Sequence, residues 1–337
     1  MFNKTLSYND VLLVPQYSDI KSRKEVDVSS QLGEIKFDLP IISSPMDTIS
    51  EGPMAAAMSN AGGLAIIHRY NTPEEQAQWV HNVTSMIPPT IVGGAIGTSG
   101  DYLERAGALV AAGAKVICVD VAHGHHVLMK TALRALRIAF GDKIHIMAGN
   151  VATLEGYNDL VDWGANSVRC NIGGGSICST RIQTGHGVPG LHTIIDCARS
   201  DRNVPIIADG GIRNSGDIVK ALAAGADFVM LGSLLSGTDE TPGDIINTRK
   251  GKFKAYRGMA SKDAQVEWRG RTASLEGIAT TVPYKGAVQP VLDDLVRGIR
   301  SGFSYSGART LSELQAKAQF VYQTMSGQNE SGTHILR

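Results

Sequence analysis

Eight short apolar runs, spaced fairly evenly along the chain, constrain the fold of this sequence most strongly. Each run is brief and almost continuously apolar, as expected of parallel strands that are buried on both faces. The runs are Pro40–Met46, Leu64–Arg69, Ile91–Gly97, Val116–Ala122, Ile144–Val151, Ser167–Ile172, Pro205–Ile212 and Phe228–Ser233. Stretches with a helical pattern separate most of them, at residues 73–83, 102–112, 126–140, 154–163 and 215–224.

Eight strands that alternate with helices predict a (β/α)8 barrel, the TIM-barrel form of the α/β class, and 337 residues suit one such domain. A doubly wound parallel sheet shows a similar alternation and is the alternative. No linker or shift in composition divides residues 1–337, so we expect a single barrel domain. The polar residues after Met325, rich in glycine and serine, predict a flexible C-terminal tail.

Charge and cysteine content narrow the functional classes. Lys plus Arg and Asp plus Glu number 32 each, so no excess charge favours nucleic acid or an anionic membrane. The four cysteines form no CxxC pair and accompany no histidine cluster, which fits a reducing compartment and gives no metal-site pattern. The N-terminus lacks the apolar segment of a signal peptide, and no apolar stretch approaches the roughly 20 residues of a membrane helix. We therefore expect a cytoplasmic protein.

Polar residues and glycines gather where the predicted strands end, which is where barrels carry their reacting groups. Any one of these positions alone is typical of an ordinary turn, but the joint pattern predicts a functional site. The strand ends in question are Ser44–Asp47, Asp120 with His123 and His125, Gly149–Asn150, Gly173–Arg181, Asp209–Gly211 and Gly232–Ser233.

Two of these strand ends predict a phosphate site. Gly210 and Gly211 follow the seventh strand, and Gly232 and Ser233 end the eighth, which is the usual phosphate seat of this fold. Glycines there let backbone N–H groups approach an anion, and the following helix N-terminus adds its dipole.

Cys178 lies in the glycine-dense segment GGGSICSTR, which is unlike the surroundings of a core thiol. Flanking N–H groups and Arg181 would favour the thiolate, the nucleophilic form of cysteine. Cys118 and Cys170 fall in strand patterns and Cys197 in an apolar helix, so we expect these three to be packed in the core.

Beyond these patterns, the chain resembles the IMP dehydrogenase/GMP reductase family over nearly its whole length. The matching segments are LSYNDVLLVP, SSPMDT, DVAHGH, MAGNV, GGGSICSTR, ADGGIRNSGDIVKALAAGADFVMLGS, YRGMAS and EGIATTVPYKG. The resemblance implies a barrel, usually in a homotetramer, that acts on a purine nucleotide monophosphate.

The resemblance also implies roles for individual residues. Cys178 would attack C2 of the purine, while Thr180 and Glu276 would transfer protons at the leaving group or water. Asp120 and Gly173 would lie on the nicotinamide side, and the backbone carbonyls of Gly173, Gly175 and Cys178 match a potassium site. The residues implied to bind the nucleotide are Ser44, Met46, Asn150, Ser176, Asp209, Gly211, Gly232, Ser233, Tyr256, Gly258 and Met259.

Within the family, the segment Ala260–Leu275 favours a GMP reductase that uses NADPH. Dehydrogenases of the family activate water with an Arg-Tyr pair on a long mobile flap, and reductases need no flap. This segment is short, and its Arg269 is not accompanied by a tyrosine. Residues 71–90 are also too few for the regulatory domain pair that most of the dehydrogenases carry.

Three other functions stay open at this stage. SSPMDT is more like the dehydrogenases, so an IMP dehydrogenase without regulatory domains, using NAD, is the first alternative. A flavin-dependent barrel would place FMN in the phosphate seat and leave Cys178 without a role. A non-catalytic nucleotide-binding protein fits poorly with Cys178, Thr180 and Glu276. The chain also departs from the family at Asn171 and Gly174, where glycine and proline are more usual.

Overall fold

A closed barrel of eight parallel strands lies at the centre of the computed structural model, which describes residues 4–86, 90–333 and 335. Three short strands precede the barrel. The first is β1 (Val11–Leu13), and the next two, β2 (Ser30–Leu32) and β3 (Ile35–Phe37), form a hairpin. The barrel strands are β4 (Ile41–Ser43), β5 (Leu64–Ile67), β6 (Gly93–Ile96), β7 (Val116–Asp120), β8 (His145–Val151), β9 (Ser167–Cys170), β10 (Ile206–Asp209) and β11 (Phe228–Leu231).

Each barrel strand pairs in parallel with the next along the chain, and β11 closes the barrel on β4 with Val229 opposite Ile41. The predicted (β/α)8 barrel is therefore confirmed, and the doubly wound sheet is excluded because such a sheet stays open. Every predicted strand coincides with one barrel strand. The closure brings the C-terminal ends of all eight strands to one rim, where the predicted functional residues lie.

Helices follow the barrel strands, and the five helical patterns match observed helices to within one residue at each end. The helix of residues 73–84 shows why: Pro73 occupies its first turn, and the Thr72 side chain accepts a hydrogen bond from the backbone of Glu75. The helices are α1 (Gly52–Asn60), α2 (Pro73–Thr84), α3 (Tyr102–Ala111), α4 (Val127–Phe140), α5 (Leu154–Asp162), α6 (Thr180–Thr184), α7 (Gly190–Cys197), α8 (Ser215–Ala223), α9 (Lys262–Arg269), α10 (Val288–Tyr305), α11 (Leu311–Lys317) and α12 (Met325–Glu330).

Apolar side chains fill both the barrel interior and the layer between strands and helices. The β2–β3 hairpin packs against the interior, where the Phe37 ring meets the Phe228 ring edge to face with centroids 5.7 Å apart. Cys118, Cys170 and Cys197 are buried and free, as predicted for core thiols. This packed interior gives the rim a rigid base.

Outside the barrel, an antiparallel side sheet follows β11 and consists of β12 (Ile246–Thr248), β13 (Gly251–Arg257) and β14 (Ala279–Pro283). The last strand, β15 (Phe320–Tyr322), pairs antiparallel with β1. Part of the predicted flexible tail lies in α12, whereas residues 334, 336 and 337 fall outside the described residues, and the mobility of the tail stays a prediction. None of the described helices combines the length and the apolarity that crossing a membrane requires.

Candidate active site

A cavity of about 460 Å³ opens at the C-terminal rim of the barrel. That volume is in the range of small-molecule sites. The structure brings every residue to which the resemblance gives a site role to the lining of this cavity, although these roles stay predictions. They are Ser44, Met46, Asp120, Asn150, Gly173, Gly175, Ser176, Cys178, Thr180, Asp209, Gly211, Gly232, Ser233, Tyr256, Gly258, Met259 and Glu276.

The residues 173–181, here called the nucleophile loop, connect β9 to the start of α6. Backbone contacts fix the loop to the segment that precedes β14: Ser179 N donates to Glu276 O at 2.9 Å, and Ile278 N donates to Ile177 O at 3.0 Å. Between them, Cys178 forms an isolated antiparallel bridge with Gly277. The Cys178 thiol, half-buried, is thereby held at the cavity wall beside Glu276.

A chain of side-chain hydrogen bonds starts at that thiol. The Cys178 thiol donates to Thr180 Oγ1 at 3.1 Å, and the Thr180 hydroxyl donates to Glu276 Oε2 at 2.8 Å. Ser274 Oγ donates to the other carboxylate oxygen of Glu276 at 2.7 Å. This connected path can carry a proton between the Cys178 thiol and the Glu276 carboxyl group, as general acid–base catalysis requires.

The Asp209 carboxylate receives three donors, all on the same oxygen. Asn150 Nδ2 lies 2.8 Å from Asp209 Oδ2, and Arg169 approaches the same atom with Nη2 at 2.7 Å and Nε at 3.1 Å. Within the described part of the chain, no donor reaches Oδ1. Asp209 is thus fixed in orientation with one oxygen available to a ligand, which suits a ribose hydroxyl.

Arg169 joins two of the predicted site residues, and the sequence analysis did not identify it. Its Nη1 lies 2.5 Å from Asp120 Oδ1, while its other nitrogens hold Asp209. Burial opposes its charge, yet Asp209, Cys118 and Asp120 together raise the pKa of Arg169 well above its usual value. An arginine within a buried strand almost always has such partners, so its place in β9 was a signal that could have been used.

Four residues converge at the predicted phosphate seat beside Gly232. A Cβ at this glycine would lie 3.1 Å from Met46 Sδ, 3.3 Å from Tyr256 Oη and 3.5 Å from Ser44 Oγ. Tyr256 Oη also lies 3.1 Å from Ser176 Oγ. Burial raises the pKa of Tyr256, so its hydroxyl stays protonated and can donate to an anion.

The residues 260–275, here called the covering segment, form a helix and a turn at the cavity edge. Ser261 caps the start of α9, and Gly270 ends it in the left-handed conformation. The buried Gln265 ties the segment together: its amide nitrogen donates to Ala260 O at 3.1 Å and Ser274 O at 2.8 Å, and its oxygen accepts from Ala273 N at 2.6 Å. The segment is a folded unit closed by one side chain.

Tyr70, from the loop after β5, contacts this covering segment and was not identified from the sequence. Its ring stacks on Trp268 with centroids 5.9 Å apart, and the Arg269 guanidinium lies 5.7 Å from its ring centroid. Its hydroxyl donates to Met259 O at 2.8 Å. The covering segment contains no tyrosine, but Tyr70 places one beside Arg269. The sequence did not point to Tyr70, because the end of β5 carried no motif.

Six residues at the predicted strand ends are not part of the cavity lining: Asp47, His123, His125, Gly149, Ser179 and Arg181. His125 pairs with Asp159 on α5 at 2.8 Å. Asp47 turns away to form an ion pair with Arg257 at 2.8 Å. In the nucleophile loop, Gly175 O accepts a hydrogen bond from Cys178 N at 3.1 Å. The potassium site at the carbonyls of Gly173, Gly175 and Cys178 stays a prediction.

Comparisons with known proteins agree on one family. The family model described as IMP dehydrogenase / GMP reductase domain matches residues 5–334. The inosine-5'-monophosphate dehydrogenase of Nitrosopumilus maritimus is 33% identical over 470 aligned positions, which cover 99% of this chain and 98% of that protein. The GMP reductase of Leishmania major is 33% identical over 476 positions, which cover 98% and 97%. Both relatives therefore contain sequence without a counterpart in these 337 residues.

Among solved structures, a cysteine-to-alanine variant of GMP reductase from Trypanosoma brucei, in complex with guanosine 5'-monophosphate, matches with a TM-score of 0.94 and 31% identity. The match covers 99% of this chain and 98% of that one. Relatives with either enzyme name are thus similar to this chain to about the same degree.

Proposed function

Because this chain belongs to the IMP dehydrogenase/GMP reductase family, we propose that it is the reductase, an enzyme that converts GMP to IMP and ammonia at the expense of NADPH. The observation that carries this choice is the covering segment. It is a short helix closed on itself by Gln265, and Arg269 is followed there by glycine instead of tyrosine. Hydrolysis by a dehydrogenase requires a group that moves into the space left by the nicotinamide, and this segment offers little length for such movement.

The residues of the site can carry the covalent part of this reaction. The Cys178 thiolate adds to C2 of the purine, and the C2 amino group leaves as ammonia once it has been protonated. Hydride addition at C2 and departure of the thiolate then give IMP. Thr180 and Glu276 supply and recover the protons through the hydrogen bonds at 3.1 and 2.8 Å, because a threonine hydroxyl alone is too weakly acidic to protonate an amine.

The nucleotide would be held by groups that the structure leaves available. Asp209 Oδ1 would accept from the ribose hydroxyls, while Arg169 and Asn150 keep the carboxylate in place through Oδ2. The phosphate would lie against the glycine turns after β10 and β11, with Ser233 and Tyr256 as donors.

The remaining part of the cavity would receive the nicotinamide end of a dinucleotide cofactor, which supplies the hydride when bound. Asp120 and Gly173 would face the nicotinamide side. Arg69 and Arg269 also line the cavity. Within the described ranges the buried Arg69 Nε has no hydrogen-bond partner, and it lies 3.9 Å from Asp120 Oδ2. Two cations beside the covering segment suit the phosphates of such a cofactor. A flavin in place of the nucleotide would leave the path from Cys178 to Glu276 without a function.

One observation favours the dehydrogenase as a second candidate. Arg269 and Tyr70 are paired across the cavity edge at 5.7 Å, which places an arginine and a tyrosine together although they are distant in sequence. An arginine held beside a water molecule would act weakly as a base there. Burial raises the pKa of Tyr70, so this tyrosine stays protonated at neutral pH.

The direction of the reaction separates the two candidates. Purified protein is incubated with GMP and NADPH, and separately with IMP and NAD, while the absorbance of the reduced nicotinamide is followed and IMP, XMP and ammonia are measured. We expect NADPH oxidation with equal amounts of IMP and ammonia, and little or no XMP. The Cys178→Ala variant is the blank in both assays. Steady XMP formation at a rate equal to or above that of GMP reduction would contradict the proposal.

A further inference from the structure

Asn171, which directly follows β9, has a backbone conformation that non-glycine residues rarely adopt. Its φ is 131°, and its side chain is buried at 3% exposure. A buried residue in such a conformation is strained and persists only where its surroundings require it. The contacts of its side chain show what this position provides.

The Asn171 carboxamide connects two loops of the site. Its Nδ2 donates to Gly210 O at 3.2 Å, in the turn after β10, and its Oδ1 accepts from Arg181 Nη2 at 3.3 Å, at the end of the nucleophile loop. The same guanidinium group donates to Ile172 O at 3.0 Å and to Val188 O at 2.6 Å. The side chain thus links the predicted phosphate turn with the loop that carries Cys178.

Gly174 provides the space that this carboxamide occupies. Gly174 does not have a positive φ, so its φ does not by itself require glycine. A Cβ there would nevertheless lie 2.9 Å from both Cγ and Oδ1 of Asn171, and closer still to Nδ2. Around this point the two loops touch backbone to backbone, because a Cβ at Gly210 would lie 3.1 Å from Gly175 N.

We propose that Asn171 and Gly174 are a matched pair that sets the position of the nucleophile loop relative to the phosphate turn. Asn171 is a positioning residue, and Gly174 is glycine because of Asn171. The pair acts on the alignment of Cys178 with a nucleotide held at Gly210–Gly211, and in this respect it rests on the proposed function. A displacement of about 1 Å at such a point lowers rates by as much as a hundredfold.

A double-mutant cycle tests the pair, with Gly174→Ala, Asn171→Gly and the double variant. Two readouts need no turnover: thermal unfolding, and the rate at which iodoacetamide alkylates Cys178, the one cysteine of the four that is not buried. The third readout is the affinity for GMP. Gly107→Ala is the matched control, because a Cβ at Gly107 meets nothing within 4 Å.

We expect Gly174→Ala to weaken GMP binding about tenfold and to move the alkylation rate about threefold or more away from that of the wild type. Asn171→Gly removes the clash, so the double variant is expected to match Asn171→Gly alone in all three readouts. A double variant as impaired as Gly174→Ala, or a Gly174→Ala variant equal to the control, overturns the proposal.

The cycle stays decisive if Gly174→Ala unfolds. In that case the double variant should fold and show the melting temperature and alkylation rate of Asn171→Gly. An Asn171→Gly variant whose alkylation rate equals that of the wild type would show that Asn171 does not position the loop. If the wild type fails to reduce GMP, the proposed function is contradicted, but the alkylation and unfolding results still test the pair.

Discussion

The nucleophile loop and the covering segment border the same cavity but are held in place in different ways. The loop is confined by close contacts. A Cβ at Gly173 would lie 2.5 Å from Arg181 Cγ, a Cβ at Gly174 would overlap the Asn171 side chain, and the backbone of Gly175 lies against the turn after β10. The covering segment is closed by the hydrogen bonds of Gln265 and by the stacking of Tyr70 on Trp268.

This difference indicates a division of tasks. A loop confined by packing has few alternative positions, as a nucleophile requires. A segment held by a few hydrogen bonds opens at a lower free energy, as ligand exchange requires. Glu276 lies at the junction, since it directly follows the covering segment and bonds to Thr180 at the end of the loop. Substitutions in the loop should therefore remove chemistry, and substitutions in the cover should change access.

The largest expected effect is that of Cys178→Ala. We expect turnover to fall about a thousandfold or more, because covalent catalysis is lost entirely, while GMP affinity changes by no more than about threefold. The proposed phosphate and ribose contacts do not involve the thiol, so the affinity should be retained. Steady-state assays and calorimetric titration measure the two quantities. Substantial residual turnover would remove Cys178 from its role as nucleophile.

Ser233→Glu is expected to have the next largest effect, on binding instead of chemistry. A carboxylate beside the 5′-phosphate should weaken GMP binding about a hundredfold, since like charges brought together cost several kcal/mol. Guanosine, which has no phosphate, should lose much less affinity. Ser312→Glu on α11 is the control, because Ser312 is exposed and does not line the cavity. Equal losses for GMP and guanosine would place the phosphate elsewhere.

Most of the fold could be predicted from the sequence because periodicity reports local structure directly. Buried parallel strands are apolar on both faces, and helix starts such as Thr72–Pro73 carry their own capping signals. Closure of the barrel followed from the strand count. The side sheet was missed, because β12 and β14 are short and exposed and so lack an apolar pattern.

The site residues, too, could be predicted where a local sequence motif marked them and not elsewhere. Most of the residues predicted at motif-bearing strand ends line the cavity, whereas Arg69, Tyr70, Arg169 and Gln265 were missed. Their importance depends on partners distant in the chain, such as Met259 for Tyr70. Asn171 and Gly174 show the limit most clearly: the sequence presents two separate departures from the family, and only the structure shows that the two residues touch.

Glu276→Gln tests the junction between loop and cover. The amide can still accept a hydrogen bond from Thr180, so GMP affinity should stay within about threefold, but it cannot deliver a proton. We expect the rate of ammonia release in a single turnover to fall about tenfold to a hundredfold. Glu155→Gln, at an exposed position on α5, is the control. An unchanged rate of deamination would show that Glu276 takes no part in proton transfer.

The smallest expected effect is that of Gln265→Ala, and it tests the comparison itself. The substitution removes the side chain that joins Ala260, Ala273 and Ser274, so the covering segment should close less firmly. We expect kcat/KM for GMP reduction to fall about threefold to tenfold, because a less firmly closed cover admits water and orients the cofactor less well. The rate of Cys178 alkylation should stay within about twofold, because the loop is held by its own packing. The control is Gln289→Ala on α10, where an exposed glutamine bonds only to Asp293 among the described residues. Alkylation that changes as much as turnover would show that the cover also determines the position of the nucleophile loop, and the division of tasks between the two segments would then be wrong.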